Sequence, residues 1–553
     1  MKVAEAVGRA LAAIGVRQVF GVVGSGNFHV TNALVAGGAR FVASRHEGGA
    51  ATMADAYGRV RREVAAASLH QGCGLTNAMT GIAEAAKSRT PMLVLAAETA
   101  AGAARSNFRV DQPALAVAVE AESARVRSAA SAVDDALAAY VRARDDRRTV
   151  VLNLPLDVQA AELRVDRRAL AELRAPPPPP AIAPPFDAVR ALAGAIEGAA
   201  RPVFIAGRGA QIARAGEPLE RLADRAGALL ATSAVAKGMF HGSPFCLDVA
   251  GGFASPLAAE LIASSDLVVA WGCALNMWTT RHGRLIGPGA RVAQVDVDAA
   301  ALGAHRPIDL GVVGDAAETA RAVDAALATS GARPAAWRTG ALAARIAAEV
   351  RWRDVPFHDD GGEGRIDPRA LSIALDDALP RERIVAVDSG NFMGYPSMYL
   401  SVPDDEGFVF TQAFQSIGLG LASAIGAALA RPDRLPVAAL GDGGALMSVA
   451  ELETAARLKL PMVVAVYDDD AYGAEVHHFG PDGHPLDVVR FPETDVAAIG
   501  RGFGCDAITV RRPEDLAPLA AWLEGPRDRP IVVHAKVASK RASWWLEEAF
   551  RGH

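Results

Sequence analysis

The sequence predicts an α/β protein of three doubly wound parallel-sheet domains, and two observations carry that prediction. Short apolar runs alternate with longer Ala/Leu/Arg segments of helical period, the pattern of a mostly parallel sheet covered by helices on both faces. At 553 residues the chain is too long for one hydrophobic core, and at roughly 100–200 residues per domain it divides into about three. Hydrophobic residues make up 51% and charged residues 22%, which excludes a disordered chain or a coiled coil.

The first block, 1–175, takes its strands from VRQVFGVVG, ARFVASRH, AAASLH, PMLVLAAE and RTVVLNLP. PPPPPAIAPP then fills 176–185, where neither helix nor central strand can form, so 176–186 is a stiff, extended linker. The second block, 187–345, continues with RPVFIAGRGA, AGALLATSA, DLVVAWGCAL and ARVAQVDVD. The third, 346–553, opens near the polar, Gly-rich stretch HDDGGEGRIDP and has RIVAVDSGN, LPVAALGDGG, LPMVVAVYDDD and RPIVVHAKV as strands.

Charge excludes some partners. Against 63 acidic residues stand 57 Lys and Arg, a net charge of −6 with no basic block, so neither nucleic acid nor an anionic membrane has a surface to rest on. Cys73, Cys246, Cys273 and Cys505 stand too far apart for a disulfide framework or a zinc site; they are read as core residues and suit a reducing cytosol. The N-terminal residues carry charges throughout and run into a strand, unlike a signal peptide or a membrane span, so a cytoplasmic protein is expected.

The chemistry concentrates in 437–473. There a strand runs into Gly441-Asp442-Gly443-Gly444, a helix opens, and a second strand ends in Asp468-Asp469-Asp470. Glycines at a strand-to-helix turn admit a close ligand, and the free N–H groups of a helix start attract an anion such as phosphate. Asp442 and Asp469 fall at the carboxyl ends of two strands, the edge of an open parallel sheet where ligands bind. Two carboxylates beside a phosphate-binding turn suit magnesium. A dinucleotide-binding dehydrogenase built on Gly207 and Gly209 is disfavoured, because Ile212 stands where the third glycine belongs.

The whole segment, with Glu451-Leu452, Thr454-Ala455, Leu460-Pro461 and Tyr472-Gly473, resembles the diphosphate-binding motif of thiamine diphosphate enzymes, in the branch of acetolactate synthase, benzoylformate decarboxylase and benzaldehyde lyase. Arg45-His46-Glu47-Gly48-Gly49-Ala50 resembles that family's catalytic-glutamate segment, and Gly72-Cys73-Gly74-Leu75-Thr76-Asn77 its glycine–asparagine turn. Gly207-Arg208-Gly209 and Gln294-Val295-Asp296 are similar to its central domain. The resemblance makes the three blocks a pyrimidine-binding, a central and a diphosphate-binding domain. One departure is that the family usually has asparagines where Asp468 and Asp469 stand.

The resemblance implies thiamine diphosphate and Mg2+ as cofactors. Glu47 would hydrogen-bond the aminopyrimidine ring; Asn77, Gly390, Asn391, Gly441, Gly443, Gly444 and Tyr472 would line the cofactor; and Ile417 would wedge it into its bent shape. Asp442, Asp469 and the main-chain oxygen of Ala471 would ligate the metal. His70, Gln112 and His478 are candidates for catalysis; Asn27, His29, Gln71, Glu475 and His477 are candidates for substrate contact. On a helix following the metal loop, Glu475 and His478 would share a face, making His478 the more consequential of the two adjacent histidines. The substrate implied is a small 2-oxo acid, with an aldehyde or acyloin as alternative. Decarboxylation with carboligation of the acetolactate synthase kind is expected first; acyloin or 2-hydroxyacyl cleavage, simple decarboxylation, or a non-catalytic subunit are the alternatives. A homodimer or homotetramer with Glu47 and Asp442 meeting across a subunit interface is implied. Some members hold flavin (FAD) in the central domain, here through Asp296 or Asp298; the expectation is that this chain does not.

Overall fold

The computed structural model describes residues 1–549. Three six-stranded sheets follow one another along the chain, every pairing in them parallel. The first contains β1 (Gln18–Gly21), β2 (Arg40–Ala43), β3 (Ala65–Leu69), β4 (Met92–Glu98), β5 (Glu122–Arg125) and β6 (Thr149–Pro155), in the order β2-β1-β3-β4-β6-β5. The central sheet contains β7 (Pro202–Ala206), β8 (Leu229–Thr232), β9 (Cys246–Val249), β10 (Leu267–Trp271), β11 (Arg291–Asp296) and β12 (Leu310–Val313), in the order β12-β11-β10-β7-β8-β9. The third contains β13 (Arg383–Val387), β14 (Phe408–Phe410), β15 (Leu435–Gly441), β16 (Val463–Asp468), β17 (Asp506–Val510) and β18 (Ile531–Lys536), in the order β14-β13-β15-β16-β18-β17.

Counted from their own first strands, the first and third sheets share one topology, 2-1-3-4-6-5, whereas the central sheet runs 3-2-1-4-5-6. The winding of the outer sheets therefore reverses between their first and third strands, and the crevice beyond that point is where an open parallel sheet binds ligands. Inner strands such as β3 and β7 are buried along their whole length, as helices on both faces require.

The outer domains share a core. Helix Gly420–Ala430 is apolar nearly all round and packs on helix Glu47–Arg61, so closely that a Cβ at Gly426 would lie 2.3 Å from the Met53 carbonyl. Phe20, Met53, Ile425 and Val464 belong to one continuous apolar cluster. Residues 173–185 carry neither helix nor strand. The helix Gly340–Glu349 runs through position 345, and Ile346 packs into the central core with Leu261 and Ile262, so central-domain packing continues past the expected end of that block.

All four cysteines are free, and Cys73 corrects the sequence expectation: it is exposed, while Cys273 and Cys505 are buried and Cys246 is half-buried. No helix among the described residues is long and apolar enough to cross a membrane.

Candidate active site

The reversal point of the third sheet gathers Asp388 after β13, Gly441 to Gly444 at the end of β15, and Asp468 to Asp470 at the end of β16. A cavity of about 290 Å³ opens there, lined by Asp442, Gly443, Leu446, Met447, Tyr472 and Phe491 among others, all from the C-terminal domain. Its glycines are required sterically. A Cβ at Gly443 would stand 2.7 Å from the Tyr472 ring, at Gly444 2.2 Å from Asp388 Oδ2, and at Gly473 2.2 Å from Asp469 Oδ2.

Apart from Asp388, the carboxylates at this edge divide into two pairs. Asp468 is buried and accepts hydrogen bonds from His534 Nε2 at 2.5 Å and Lys536 Nζ at 2.9 Å; against the cost of burial these hold it down at about 2. Asp470 pairs with Lys536 and Arg365. Asp442 and Asp469 form no ion pair among the described residues. Burial, then the charges of Asp469 and Asp468, push Asp442 up to about 8; burial, then Asp468, push Asp469 up to about 7. Buried carboxylates without a cation are costly, and a divalent cation relieves that cost. Among the described residues no three His, Cys, Asp or Glu side chains gather as a metal cluster. Magnesium takes one or two carboxylates and completes its shell with phosphate and water oxygens. The turn, its glycines and this pair fit a magnesium diphosphate.

Ala471 is held beside segment 489–491, where the Phe491 N–H reaches the Asp470 carbonyl and the Tyr472 N–H that of Val489. Tyr472 packs edge-on against Phe491. Ile417 is half-buried on a tight turn between Gln415 (φ 59°) and Gly418 (φ 87°). Asp388 holds that turn. Fully buried, its carboxylate accepts N–H groups from Ser389 and Leu419 on one oxygen and Gly418 on the other; burial pushes it up to about 6 despite those bonds. Its place beside Asn391 in the sequence was the one available signal of this role.

Gly390 (φ 131°) turns the chain after β13 into Asn391, whose Cβ lies near Gly473. Asn391 Oδ1 accepts the Ser543 N–H and its carbonyl accepts from Ser543 Oγ and Trp545 Nε1, so it anchors the C-terminal segment.

The N-terminal candidates gather at the carboxyl edge of the first sheet. Glu47 opens helix Glu47–Arg61 and is half-buried, its Oε2 receiving the Asn77 amide at 3.0 Å. His70 lies against Phe108 and bonds the Gln71 carbonyl through Nδ1. Gln71 is buried with its Oε1 unpartnered. Two expectations are corrected. Gln112, read as catalytic, is a buried scaffold: Oε1 accepts the Gly72 N–H, and Nε2 donates to Ala97 and Asn153, using both amide hydrogens. It holds the Gly72 turn (φ 61°), where a Cβ would meet the Phe108 carbonyl at 2.1 Å. Asn27, read as a substrate contact, is fully buried and ties Gly24, Val22 and Ser68 together. His29 is exposed.

Helix Gly473–Phe479 does follow the Asp468–Asp470 loop, and Glu475 on it is exposed. His477, expected to be the milder histidine, has a buried Nε2 without a hydrogen-bond partner among the described residues, and burial lowers its proton affinity. His478 stacks edge-on against Phe479.

A second cavity, of about 840 Å³, lies at the reversal point of the central sheet and is lined by Gly272, Asp296 and Asp298. Asp298 is paired with Arg89. Half-buried Arg208, at the same cavity, is lowered by burial of its guanidinium to about 10. Gln412 also lines it, both amide atoms buried and unpartnered, a feature no sequence signal announced.

Three parallel α/β domains with a glycine-and-carboxylate anion site on the third define an enzyme built around a diphosphate-bearing cofactor. Comparison with known proteins makes this specific. Residues 1–115 match the thiamine pyrophosphate enzyme N-terminal TPP-binding domain, 189–323 the central domain and 388–535 the C-terminal TPP-binding domain. The chain is 32% identical over 540 residues to a probable 2-ketoarginine decarboxylase of Pseudomonas aeruginosa, covering 93% of this chain and 90% of that one. It is 29% identical over 552 residues to the sulfoacetaldehyde acetyltransferase of Castellaniella defragrans, covering 94% and 90%, and 28% identical over 556 residues to the acetolactate synthase large subunit of Parasynechococcus marenigrum, covering 96% and 87%. The solved thiamine diphosphate-dependent 4-hydroxybenzoylformate decarboxylase of Rhodococcus jostii shares the fold, with a TM-score of 0.80 at 22% identity over 97% of this chain and 99% of that one. The chain belongs to the thiamine pyrophosphate-dependent enzyme family.

Proposed function

We propose that this enzyme decarboxylates a small 2-oxo acid and passes the acyl unit to a second carbonyl, using thiamine diphosphate held through Mg2+. The observation that carries the reading is a pair of carboxylates with no cationic partner among the described residues, buried Asp442 and half-buried Asp469, beside the Gly443-Gly444 turn. When bound, the cofactor supplies a nucleophilic carbon and a sink for the electron pair left when a bond beside a carbonyl breaks. Asp442, Asp469 and the Ala471 carbonyl hold the metal. Gly443 and Gly444 keep side chains clear of the diphosphate, and Ile417 supports the cofactor from its turn. Glu47, oriented by Asn77, holds a proton at the aminopyrimidine.

The assembly proposed is a homodimer or a pair of dimers in which Glu47 of one copy serves the Asp442 cavity of another. Supporting it, that cavity has no N-terminal residue in its lining, and apolar side chains stand exposed at both half-sites: Leu446 and Met447 at one, Phe28 and Phe108 at the other. Carboligation draws support from the synthase and transferase relatives. A second reading, protonation to an aldehyde, draws support from the decarboxylase relative and from the unpartnered Nε2 of His477, which suits a proton carrier. Incubating the loaded enzyme with 2-oxo acids, each alone and with an aldehyde, tests both. Carbon dioxide with a ligated product supports the first and carbon dioxide with an aldehyde the second. No carbon dioxide from any 2-oxo acid rejects both.

A further inference from the structure

Two buried glutamates reach across the interface between the outer domains, and each grips a loop by its main chain. Glu451, 2% exposed, begins the helix Glu451–Arg457 beyond β15, the third strand of its sheet. Its Oε1 accepts the N–H groups of Arg45 and His46, both at 3.0 Å, in the loop that follows β2 and ends at Glu47. Thr454 Oγ1 donates to its Oε2 at 2.7 Å, and a Cβ at Gly49 would stand 2.4 Å from Oε1. Glu84, 0% exposed, lies on helix Cys73–Lys87 beyond β3, the third strand of the first sheet. It accepts the N–H groups of Ala413 at 3.2 Å and Phe414 at 2.7 Å, in the loop that follows β14 and leads to Ile417. Arg59 at 2.7 Å and Ser88 at 3.2 Å complete its shell.

The two contacts correspond in the shared 2-1-3-4-6-5 topology: each runs from a helix between the third and fourth strands to the loop after the other domain's second strand. We propose that Glu84 and Glu451 are reciprocal positioning residues, each fixing the cofactor-facing loop of the opposite domain. Glu451 sets Glu47 and Glu84 sets Ile417. This rests on the roles given above to Glu47 and Ile417. A carboxylate suits the task, since each oxygen accepts two hydrogen bonds and its charge strengthens them. Where Glu47 serves a neighbouring copy, Glu451 also ties a chain's own diphosphate turn to the loop it lends that neighbour.

Amide hydrogen exchange on the full-length protein tests the clamp without turnover. Glu451→Ala should speed exchange at 44–47 by roughly tenfold or more, the effect of losing charge-assisted bonds, and leave 412–417 unchanged; Glu84→Ala should do the reverse. Glu451→Gln keeps one oxygen for both loop N–H groups, with its amide turned to the rotatable Thr454 hydroxyl, and should stay near wild type. Glu84→Gln must turn its amide N–H2 toward either Phe414 N–H or the Ala413 and Arg59 donors, so it should speed exchange at 412–417 in part and leave 44–47 unchanged, which keeps the test decisive if Glu84→Ala, stranding Arg59, does not fold. In the loaded enzyme, Glu451→Ala should lower kcat and slow exchange of the cofactor's C2 proton together, with cofactor Kd little changed and Glu451→Gln restoring both. Unchanged exchange at 44–47, or both loops loosening alike in either variant, overturns the proposal. Loosening at 44–47 with normal C2-proton exchange also overturns it, and then the fault lies with the role of Glu47.

Discussion

Cofactor binding should release protons, in a number that the site's two cation-free carboxylates determine. With Asp442 at about 8 and Asp469 at about 7, the first is ~0.9 protonated and the second ~0.5 at pH 7, whereas at pH 9 they hold ~0.1 together. A bound divalent cation requires both carboxylates ionised, so binding should expel roughly one to one and a half protons at pH 7 and almost none at pH 9. Both values stand above the ordinary carboxylate range, so protons compete with the cation: affinity should rise with pH, by roughly tenfold per unit near pH 7, and level off above about pH 8. Titration calorimetry with magnesium and thiamine diphosphate in two buffers of different ionisation enthalpy counts these protons. Asp469→Asn separates them from protons carried by the cofactor, because it deletes one titrating group and removes a neighbouring charge from Asp442. It should release about half a proton less at pH 7, or fewer still. Equal release by wild type and Asp469→Asn refutes the reasoning.

Three further outcomes follow from the site. Asp442→Ala should abolish retention of thiamine diphosphate on gel filtration with Mg2+ present, while Asp469→Asn retains it; equal damage from both means the ligands are misassigned. His477→Ala should lower turnover or shift substrate preference with cofactor affinity kept, and His478→Ala should be milder; two negligible effects move substrate recognition to His29, His70 and Gln71. The purified protein should be colourless, and a flavin absorption band would place FAD in the cavity beside Asp296.

What the sequence makes legible depends on how local the signal is. The inner strands read as apolar runs because helices bury both faces. Of the six edge strands only β2 stands out; β5, β9, β12, β14 and β17 are either broken by polar residues, as in Glu122-Ser123-Ala124-Arg125, or very short, as in Phe408-Val409-Phe410. The Gly441–Gly444 turn and the acids after β16 are legible because glycine and carboxylate at strand ends have few other uses. Which of those acids is paired is not: Lys536 and His534, on β18, bond to Asp468, and Asp469 has no cationic partner among the described residues. The places of Gln112 and Asn27 are hidden for the same reason, since the groups that consume their amides arrive through tertiary structure. The glutamate clamps are further still from local pattern, with Glu451 and Arg45 separated by 406 positions and Glu84 and Ala413 by 329.

The most direct test is carbon dioxide release from 2-oxo acids by wild type and Glu47→Gln, each loaded with thiamine diphosphate and Mg2+ and each assayed for bound cofactor. Wild type should release carbon dioxide only when both cofactors are present, and Glu47→Gln should keep fold and cofactor while losing orders of magnitude in rate, because the substitution removes a charge and no packing. Near-wild-type turnover by Glu47→Gln, or release that persists without thiamine diphosphate, would contradict the assignment.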